Sequence, residues 1–368
     1  MNLFGLPLSD LVDLVRSHRL PDYRARQVAQ WLYRHHADTV ADMTNLPTEL
    51  RETWADEHTV DSPQPQSVEE SSDGTRRYTW VAPGEDIYES AVIPEEDRLT
   101  LCVSSQAGCR IGCKFCLTAR KGLRWNLSSA EILGQYRNLP EREEVTHIVY
   151  MGMGEPLDNT DEVLKSLSVL NGEWGYAVSP RRITVSTVGI LPDLEHLLDR
   201  SDVNVAVSLH AARREERLPL VPAENRHPIA TTLELLRHRA NLRLPPFPGT
   251  GRRRLSFEVV MLDGVTDRPD QAEALRDLIR GIPSRVNLIP WNSFPGTTFR
   301  PSSRQAIERY QAVLKRAGVT ATIRESRGQD IGAACGLLAG RHHAESRAAA
   351  PDAGTPGVAA GRLSGQAE

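Results

Sequence analysis

Residues 99–119 read LTLCVSSQAGCRIGCKFCLTA and contain four of the five cysteines of the chain. The first part, LTLCVSS, is rich in β-forming residues and predicts a strand. Cys109, Cys113 and Cys116 follow at unequal spacing beside glycines, which predicts a loop. This stretch therefore predicts a strand that leads into a loop with three thiols.

This cysteine triplet allows three interpretations. Buried cysteines can act as small apolar side chains, but three within so short a glycine-broken loop disfavour that role. A structural zinc site needs four ligands, usually in two pairs, and the remaining cysteines, Cys102 and Cys335, are single. An iron–sulfur cluster held by three thiolates would keep one iron open, as a reactive site requires. The spacing favours the third interpretation.

Downstream of residue 98, short β-rich runs alternate with helical stretches, which predicts parallel β/α units. The predicted strands are LTLCVSS, HIVYMGM, RITVSTVG, VNVAVSLH, RLSFEVVML, RVNLIPW and TATIRES. The predicted helices cover residues 128–138, 160–170, 190–200, 229–240, 268–280 and 302–317. Six or seven such units favour a barrel, full or partial, although the pattern alone leaves an open sheet as the alternative.

The rest of the chain divides into three further segments. Residues 1–60 carry helical periodicity and predict a small helical N-terminal domain, with Pro47 in the first turn of its last helix. Residues 61–97 predict a linker, polar over 62–75, followed by the hairpin RRYTWVA and IYESAVIP with its turn at PGED. Residues 98–340 form the β/α domain. The composition of 341–368 predicts a disordered tail.

Composition excludes several classes of protein. The 368 residues are 40% apolar and 25% charged, which is ordinary for a globular protein. A net charge of −4 is no global signature of nucleic-acid binding. No run approaches the ~20 apolar residues that span a bilayer, and Asp10 and Asp13 interrupt any signal-peptide core. We expect a soluble cytoplasmic protein with no membrane partner, where thiols stay reduced.

The order Cys-x3-Cys-x2-Cys, with Phe115 before the last cysteine, resembles the radical S-adenosylmethionine (SAM) superfamily. The resemblance implies an α/β fold with a partial (β/α)6 barrel, and a 4Fe–4S cluster whose open iron binds SAM. MGMGEP (residues 151–156) is similar to the glycine-rich segment of that superfamily, where Glu155 would pair with the ammonium group of SAM. Chemistry in such barrels lies at the carboxyl ends of the strands.

Polar residues recur at these predicted strand ends. Each alone would more often be a helix cap, a satisfied core group or a solvated loop carboxylate, and only their shared position favours cofactor binding. The candidate SAM contacts are Gly154, Glu155, Ser186, Ser208, Leu209, His210 and Asn292.

Several separate motifs in one order are similar to the dual-specificity 23S rRNA/tRNA adenine-C2 methyltransferases, from about residue 20 to 340. The motifs are LPDYRARQVAQWLY, MTNLP, TLCVSSQAGCRIGCKFCLTA, VYMGMGEPLDN, PRRITVSTVGI, VAVSLHA, VNLIPWNSFPG and DIGAACGLLAG. The resemblance implies methylation of adenosine C2 in 23S rRNA and tRNA, two SAM molecules per turnover and an electron donor such as a flavodoxin-type reductant.

The same resemblance implies roles for three more residues. Cys335 would first accept a methyl group, and a radical formed on that group would link it to the RNA base. Cys102 would release the product by forming a disulfide bond with Cys335, and Glu89 would remove the C2 proton. Without the resemblance, the two thiols would be inert and Glu89 a surface carboxylate at a strand end.

The chain departs from the family pattern near Cys335. Gln329, Gly332 and Leu337 stand where the family typically has two acidic residues and a glutamine, which predicts a less acidic and more flexible loop. Basic stretches at 180–183, 212–217 and 250–257 are candidate phosphate contacts, although charge runs are usually solvated faces. Two alternatives remain: methylation of adenine C8, as in antibiotic-resistance enzymes, and a non-catalytic cluster or zinc protein that binds RNA.

Overall fold

The computed structural model describes residues 1–241 and 253–339. The helices are α1 (Leu8–Ser17), α2 (Tyr23–Tyr33), α3 (Thr48–Glu57), α4 (Leu117–Arg120), α5 (Ser129–Arg137), α6 (Thr160–Asn171), α7 (Asp193–Arg200), α8 (Arg214–Leu220), α9 (Ile229–Asn241), α10 (Pro269–Leu278) and α11 (Arg304–Arg316). The strands are β1 (Ser67–Glu70), β2 (Arg76–Val81), β3 (Ile87–Glu95), β4 (Arg98–Cys102), β5 (Gln106–Gly108), β6 (Leu123–Asn126), β7 (His147–Tyr150), β8 (Ile183–Thr187), β9 (Asn204–Ser208), β10 (Leu255–Met261), β11 (Arg285–Pro290) and β12 (Thr320–Ile323).

One large mixed sheet organises the chain, in the order β1-β2-β3-β4-β7-β8-β9-β10-β11-β12. Within this sheet, the neighbouring strands from β1 to β4 pair antiparallel, and those from β4 through β7 to β12 pair parallel. Within the described residues, β12 pairs with β11 alone, so the barrel stays open. The partial barrel is confirmed, and β12, predicted from TATIRES, is its seventh parallel strand, one more than a (β/α)6 barrel contains.

The parallel strands form because their residues are apolar on both faces, as a strand covered on both sides requires. All seven residues of β10 are buried, and β9 is buried except for its last residue. Each of the seven predicted strands and six predicted helices of this region is present. The capping box in which Ser128 and Glu131 bond each other's backbone explains where α5 begins.

The N-terminal helices pack on the barrel through an apolar core that runs across both parts. Tyr33, fully buried on α2, donates its hydroxyl to the Leu6 carbonyl at 2.7 Å and accepts from the Gly5 N–H at 3.1 Å. Gly5 in turn lies so close to α5 that an added Cβ would come within 2.6 Å of the Ala130 nitrogen. The helical N-terminal region is confirmed, whereas the domain boundaries at 60, 97 and 340 stay predictions.

Other predictions need correction or lie outside the described residues. The hairpin is confirmed as β2 and β3, but the polar stretch 62–75 contains strand β1, which was expected to be a loop. Pro47 stands immediately before α3 and caps it rather than lying in its first turn. The tail 341–368 lies outside the described residues. None of the helices in the described ranges has the length and apolar character needed to cross a membrane.

Candidate active site

The cysteine loop leaves strand β5 and ends at α4. Gly108 has φ +79°, and an added Cβ would lie 1.9 Å from the Gly122 carbonyl oxygen, so only glycine fits there. The Cys109 N–H donates to that same carbonyl at 3.0 Å, and the Cys116 N–H donates to the Cys113 carbonyl at 3.2 Å. These bonds fold the loop so that the three thiols face one another.

The donor set of the loop is three cysteine thiols. The thiols interact electrostatically, and burial raises the pKa of Cys109 to about 12 and that of Cys113 well above its ordinary value. A structural zinc site needs four ligands, whereas an iron–sulfur cluster bound by three thiolates keeps one iron open. This donor set fits a cluster of several irons.

Contacts from distant segments hold the loop over the barrel. The Trp291 indole N–H donates to the Phe115 carbonyl at 2.9 Å, and the Phe115 ring meets the His210 ring edge-on at 4.7 Å between centroids. The Lys114 N–H donates to the Leu220 carbonyl at the end of α8, at 2.9 Å. The loop is therefore fixed against the carboxyl ends of β9 and β11.

Cys335 lies beside this loop. The Leu117 N–H donates to the Gly336 carbonyl at 2.8 Å, which joins the residues that directly follow Cys116 and Cys335. Cys335 is solvent exposed, yet desolvation by the surrounding protein raises the pKa of its thiol, and the Cys116 thiol adds a small further rise.

Cys102, the last residue of β4, lies near the Cys335 segment. It is 7% exposed and packs against Ala91 and Ala333. Burial raises the pKa of its thiol, and the neighbouring Cys335 raises it further. All five cysteines are free thiols, so the disulfide bond expected between Cys102 and Cys335 is not formed in this structure.

Glu89 reaches the same region from β3, where it is fully buried. One carboxylate oxygen accepts from the Ala339 N–H at 2.8 Å, and the other lies 3.4 Å from the Arg77 guanidinium. Ala339 belongs to the segment that carries Cys335. The structure therefore brings Glu89, Cys102 and Cys335 into the same region.

Glu155 and Gly154 follow β7, as predicted. Gly154 has φ +101°, and a Cβ added at this position would lie 2.6 Å from the Cβ of Gln106. The position therefore requires glycine. The Glu155 carboxylate accepts the N–H groups of Leu157 at 3.1 Å and Val188 at 3.0 Å. Burial raises its pKa to about 7. The carboxylate thus fixes the end of β8 as well as lying at the predicted cofactor site.

The remaining candidates lie at the ends of β8 and β9. The hydroxyls of Ser186 and Ser208 are 3.5 Å apart on these neighbouring strands. Leu209 is fully buried, so it can offer a ligand only its backbone. His210 adopts φ +61° and accepts from the Val260 N–H at 3.3 Å. Burial, helped by the charge of Arg217, lowers the His210 pKa to about 3, which keeps the imidazole neutral.

Asn292, beyond the end of β11, contacts the Cys335 segment directly. Its side-chain amide donates to the Cys335 carbonyl at 3.1 Å, and its oxygen accepts from the Gln329 amide at 2.7 Å. The Asp330 carboxylate accepts from the Ser71 hydroxyl at 2.6 Å. Gln329 and its neighbours are thus anchored, in contrast to the expectation of a looser loop.

Sequence reasoning missed Arg217, which lies within a stretch interpreted as a candidate phosphate contact. Its side chain is fully buried and points to the ends of β8 and β9, so it cannot meet an RNA phosphate. Arg253, at the start of the third basic stretch, is also buried and pairs with Asp202. No sequence pattern distinguished these two arginines from exposed ones.

Comparisons with known proteins agree with this geometry. The family model of the radical SAM superfamily matches residues 103–279, and that of the ribosomal RNA large subunit methyltransferase N-terminal domain matches residues 1–60. A crystal structure of a radical SAM methyltransferase from Sphaerobacter thermophilus is 36% identical, with a TM-score of 0.83, and the alignment covers 93% of this chain and 100% of that one. Fold and site therefore define a radical SAM methyltransferase.

Relatives specify the family further. The probable dual-specificity RNA methyltransferase RlmN of Phocaeicola vulgatus is 41% identical over 91% of this chain and 94% of its own length. The dual-specificity RNA methyltransferase RlmN of Geobacter sulfurreducens is 41% identical over 93% of this chain and 92% of its own length. The chain belongs to the RlmN family of dual-specificity RNA methyltransferases, and the resemblance drawn from its motifs is confirmed.

Proposed function

We propose that this chain methylates C2 of adenosine in 23S rRNA and in tRNA, and that Cys335 carries the methyl group. The observation that supports this most strongly is the position of Cys335. One neighbour is Cys116 of the cysteine loop, and the other is Cys102 at the end of β4. A thiol that carries a methyl group needs a methyl donor and a second thiol nearby. SAM bound at the cysteine loop would be the donor, and Cys102 would be the second thiol.

The cysteine loop and the strand ends are the proposed cofactor site. Cys109, Cys113 and Cys116 would hold a 4Fe–4S cluster, because three thiolates leave one iron open for SAM. The proposed SAM contacts are Gly154, Glu155, Ser186, Ser208, Leu209, His210 and Asn292. When bound, cluster and SAM supply the 5′-deoxyadenosyl radical that removes a hydrogen atom from the methyl group on Cys335.

The remaining steps belong to residues of the chain. The Cys335 thiolate first takes the methyl cation of one SAM molecule, which forms a thioether. After a second SAM has been consumed, the carbon on Cys335 would bond to C2 of the adenine, Glu89 would take the C2 proton, and the one electron left over would return to the cluster. The Cys102 thiolate then attacks the Cys335 sulfur, so that a disulfide forms, the bond from that sulfur to the bridging carbon breaks, and the carbon takes up a proton to become the methyl group of the RNA. An external thiol resets the pair.

The surroundings of these residues are compatible with their roles. Glu89 is held between the Ala339 N–H and Arg77, which fixes the position of its carboxylate beside the Cys335 segment. Burial raises the pKa of the Cys102 thiol, so the thiol must lose its proton before it attacks the Cys335 sulfur. A flavodoxin-type electron donor and a cytoplasmic location remain predictions.

Anaerobic incubation of the reconstituted protein with SAM, reductant and either 23S rRNA or tRNA tests the proposal. We expect 2-methyladenosine in the digested nucleosides of both RNAs, and none with Cys335→Ala. A product of 8-methyladenosine would contradict the proposed regiochemistry. A protein that binds iron and RNA but forms neither deoxyadenosine nor methylated nucleoside would support the non-catalytic alternative.

A further inference from the structure

A fully buried arginine lies beneath the proposed cofactor site. Arg217 on α8 donates to three main-chain carbonyls, those of Leu209 at 2.9 Å, Ser208 at 3.0 Å and Val188 at 3.2 Å. These carbonyls belong to the carboxyl ends of β8 and β9. One guanidinium therefore spans two neighbouring strands at the level where SAM is proposed to bind.

The charge of Arg217 is balanced by one partner. Glu224, also fully buried, accepts a hydrogen bond from the guanidinium and a second from the Ile229 N–H at 3.0 Å. Removing two charges from water is costly, and an apolar pair of similar volume often gives equal or greater stability. Stability alone therefore gives little reason to place an ion pair here.

The same helix also contacts the cysteine loop. The Leu220 carbonyl, at the end of α8, accepts from the Lys114 N–H at 2.9 Å, next to Cys113. Arg217 also bonds the carbonyl of Leu209, which precedes His210, and the His210 ring meets the Phe115 ring of the cysteine loop at 4.7 Å between centroids. Two contacts, through Leu220 and through His210, therefore place Arg217 next to the cysteine loop.

We propose that Arg217 is a positioning residue that aligns the strand ends for SAM and sets, together with Glu224, the reduction potential of the cluster held at Cys113. The inference rests on the proposed function, because it assumes the cluster at the cysteine loop. Reduction adds an electron to the cluster, and a nearby cation in a low-dielectric interior stabilises the reduced form. Glu224 offsets part of this effect.

The pair allows a test in which two substitutions shift the same quantity in opposite directions. The midpoint potential of the cluster would be measured by an anaerobic redox titration followed by electron paramagnetic resonance, in the reconstituted full-length protein. Arg217→Gln removes the cation and should make the potential more negative. Glu224→Gln leaves the cation unbalanced and should make it more positive. Arg217→Lys keeps the positive charge but loses the planar guanidinium, whose N–H groups donate to the three carbonyls.

For Arg217→Lys we expect a potential near that of the unaltered protein, with SAM bound about tenfold more weakly, as is typical when an outer partner of a metal site is lost. Arg253→Gln is the matched control. Arg253 is also buried and ion-paired, with Asp202 at 2.7 Å, but it precedes β10 at the opposite end of the barrel. The cluster potential and the SAM affinity of the Arg253→Gln variant should not change.

Equal potentials in all variants, or shifts of the same sign for Arg217→Gln and Glu224→Gln, would overturn the inference and leave the pair a purely structural role. If Arg217→Gln does not fold, Glu224→Gln and Arg217→Lys still decide the matter, because the first must shift the potential and the second must weaken SAM binding. Failure of the proposed function has a different signature. The unaltered protein would then bind no cluster, or keep it in the Cys113→Ala variant, which would also overturn this inference.

Discussion

The Asn292 side-chain amide donates a hydrogen bond of 3.1 Å to the main-chain carbonyl oxygen of Cys335. The bond joins the end of strand β11 to a residue 43 positions further along the chain. Gln329 completes the arrangement by donating to the Asn292 oxygen at 2.7 Å. The position of the proposed methyl carrier is thus determined partly by a residue expected to contact the cofactor.

Replacing Asn292 with alanine should loosen the Cys335 segment. Because the bond is mostly buried, we expect the free energy of unfolding to fall by about 1 kcal/mol. The fraction of Cys335 that carries a methyl group should fall severalfold, as mass spectrometry of its peptide would show. Asn171→Ala is the control, since Asn171 donates to the Val178 carbonyl at 2.9 Å ahead of β8, at the far end of the barrel. Equal methylation in both variants would contradict the role of Asn292.

Alanine at Cys109, Cys113 or Cys116 should abolish the iron–sulfur chromophore and the formation of deoxyadenosine. Each substitution removes one of the three thiolates that the cluster needs, and no fourth cysteine lies at this loop. Iron and sulfide analysis after anaerobic reconstitution provides the measurement. Cys102→Ala should retain normal iron and sulfide. A triplet variant with full iron content and turnover would show that the cluster lies elsewhere.

Protein that is produced with its cluster intact should carry an added mass of about 14 Da, one CH2, on the peptide that contains Cys335. The gain follows from attack of the Cys335 thiolate on the SAM methyl group, which leaves a stable thioether. Tandem mass spectrometry locates the added mass. Protein from the Cys113→Ala variant serves as the comparison, and active enzyme that never shows the added mass would exclude Cys335 as the carrier.

Cys102→Ala should trap a covalent protein–RNA adduct. The variant can still methylate Cys335 and join it to the base, but it lacks the thiolate that attacks the Cys335 sulfur. Denaturation and digestion should therefore release a peptide in which Cys335 bears a nucleotide. A buried thiol with only a packing role would behave differently, because its truncation would cost stability and trap nothing.

Two companion variants sharpen this experiment. Cys335→Ala should give no adduct at all. Glu89→Gln should slow resolution of the adduct if Glu89 removes the C2 proton, because the amide keeps the shape but cannot act as a base. Normal methylated RNA and no adduct from Cys102→Ala would remove Cys102 from the mechanism.

SAM binding should weaken as the pH falls below about 7. Burial raises the pKa of Glu155 to about 7, so the carboxylate becomes protonated below that value and no longer attracts the ammonium group of SAM. Above it the carboxylate is charged and the affinity should level off. His210, with a pKa lowered to about 3, stays neutral across this range. Equilibrium binding from pH 6 to 8 provides the measurement, and Glu155→Gln should remove the Glu155 contribution to the pH dependence.

Much of the fold could be predicted from local patterns. The seven parallel strands of the large sheet are short apolar runs, and the helices between them carry apolar residues at helical spacing, so each can be recognised from a few neighbouring residues. Strand β1 escaped prediction because SVEE is polar and pairs only at the edge of the sheet, where no burial pattern is required. Helix α8 escaped because Pro219 interrupts its pattern.

The sequence by itself determined the alternation of strands and helices and the spacing of the three clustered thiols, because both depend on neighbours along the chain. Only the tertiary structure decided that Cys335 lies near both Cys116 and Cys102, that Asn292 bonds to its carbonyl, and that Arg217 is buried. These relationships join residues far apart in sequence, and a residue type alone does not reveal its partner. Parallel strand pairing brings their carboxyl ends to one edge, and there the separate segments meet.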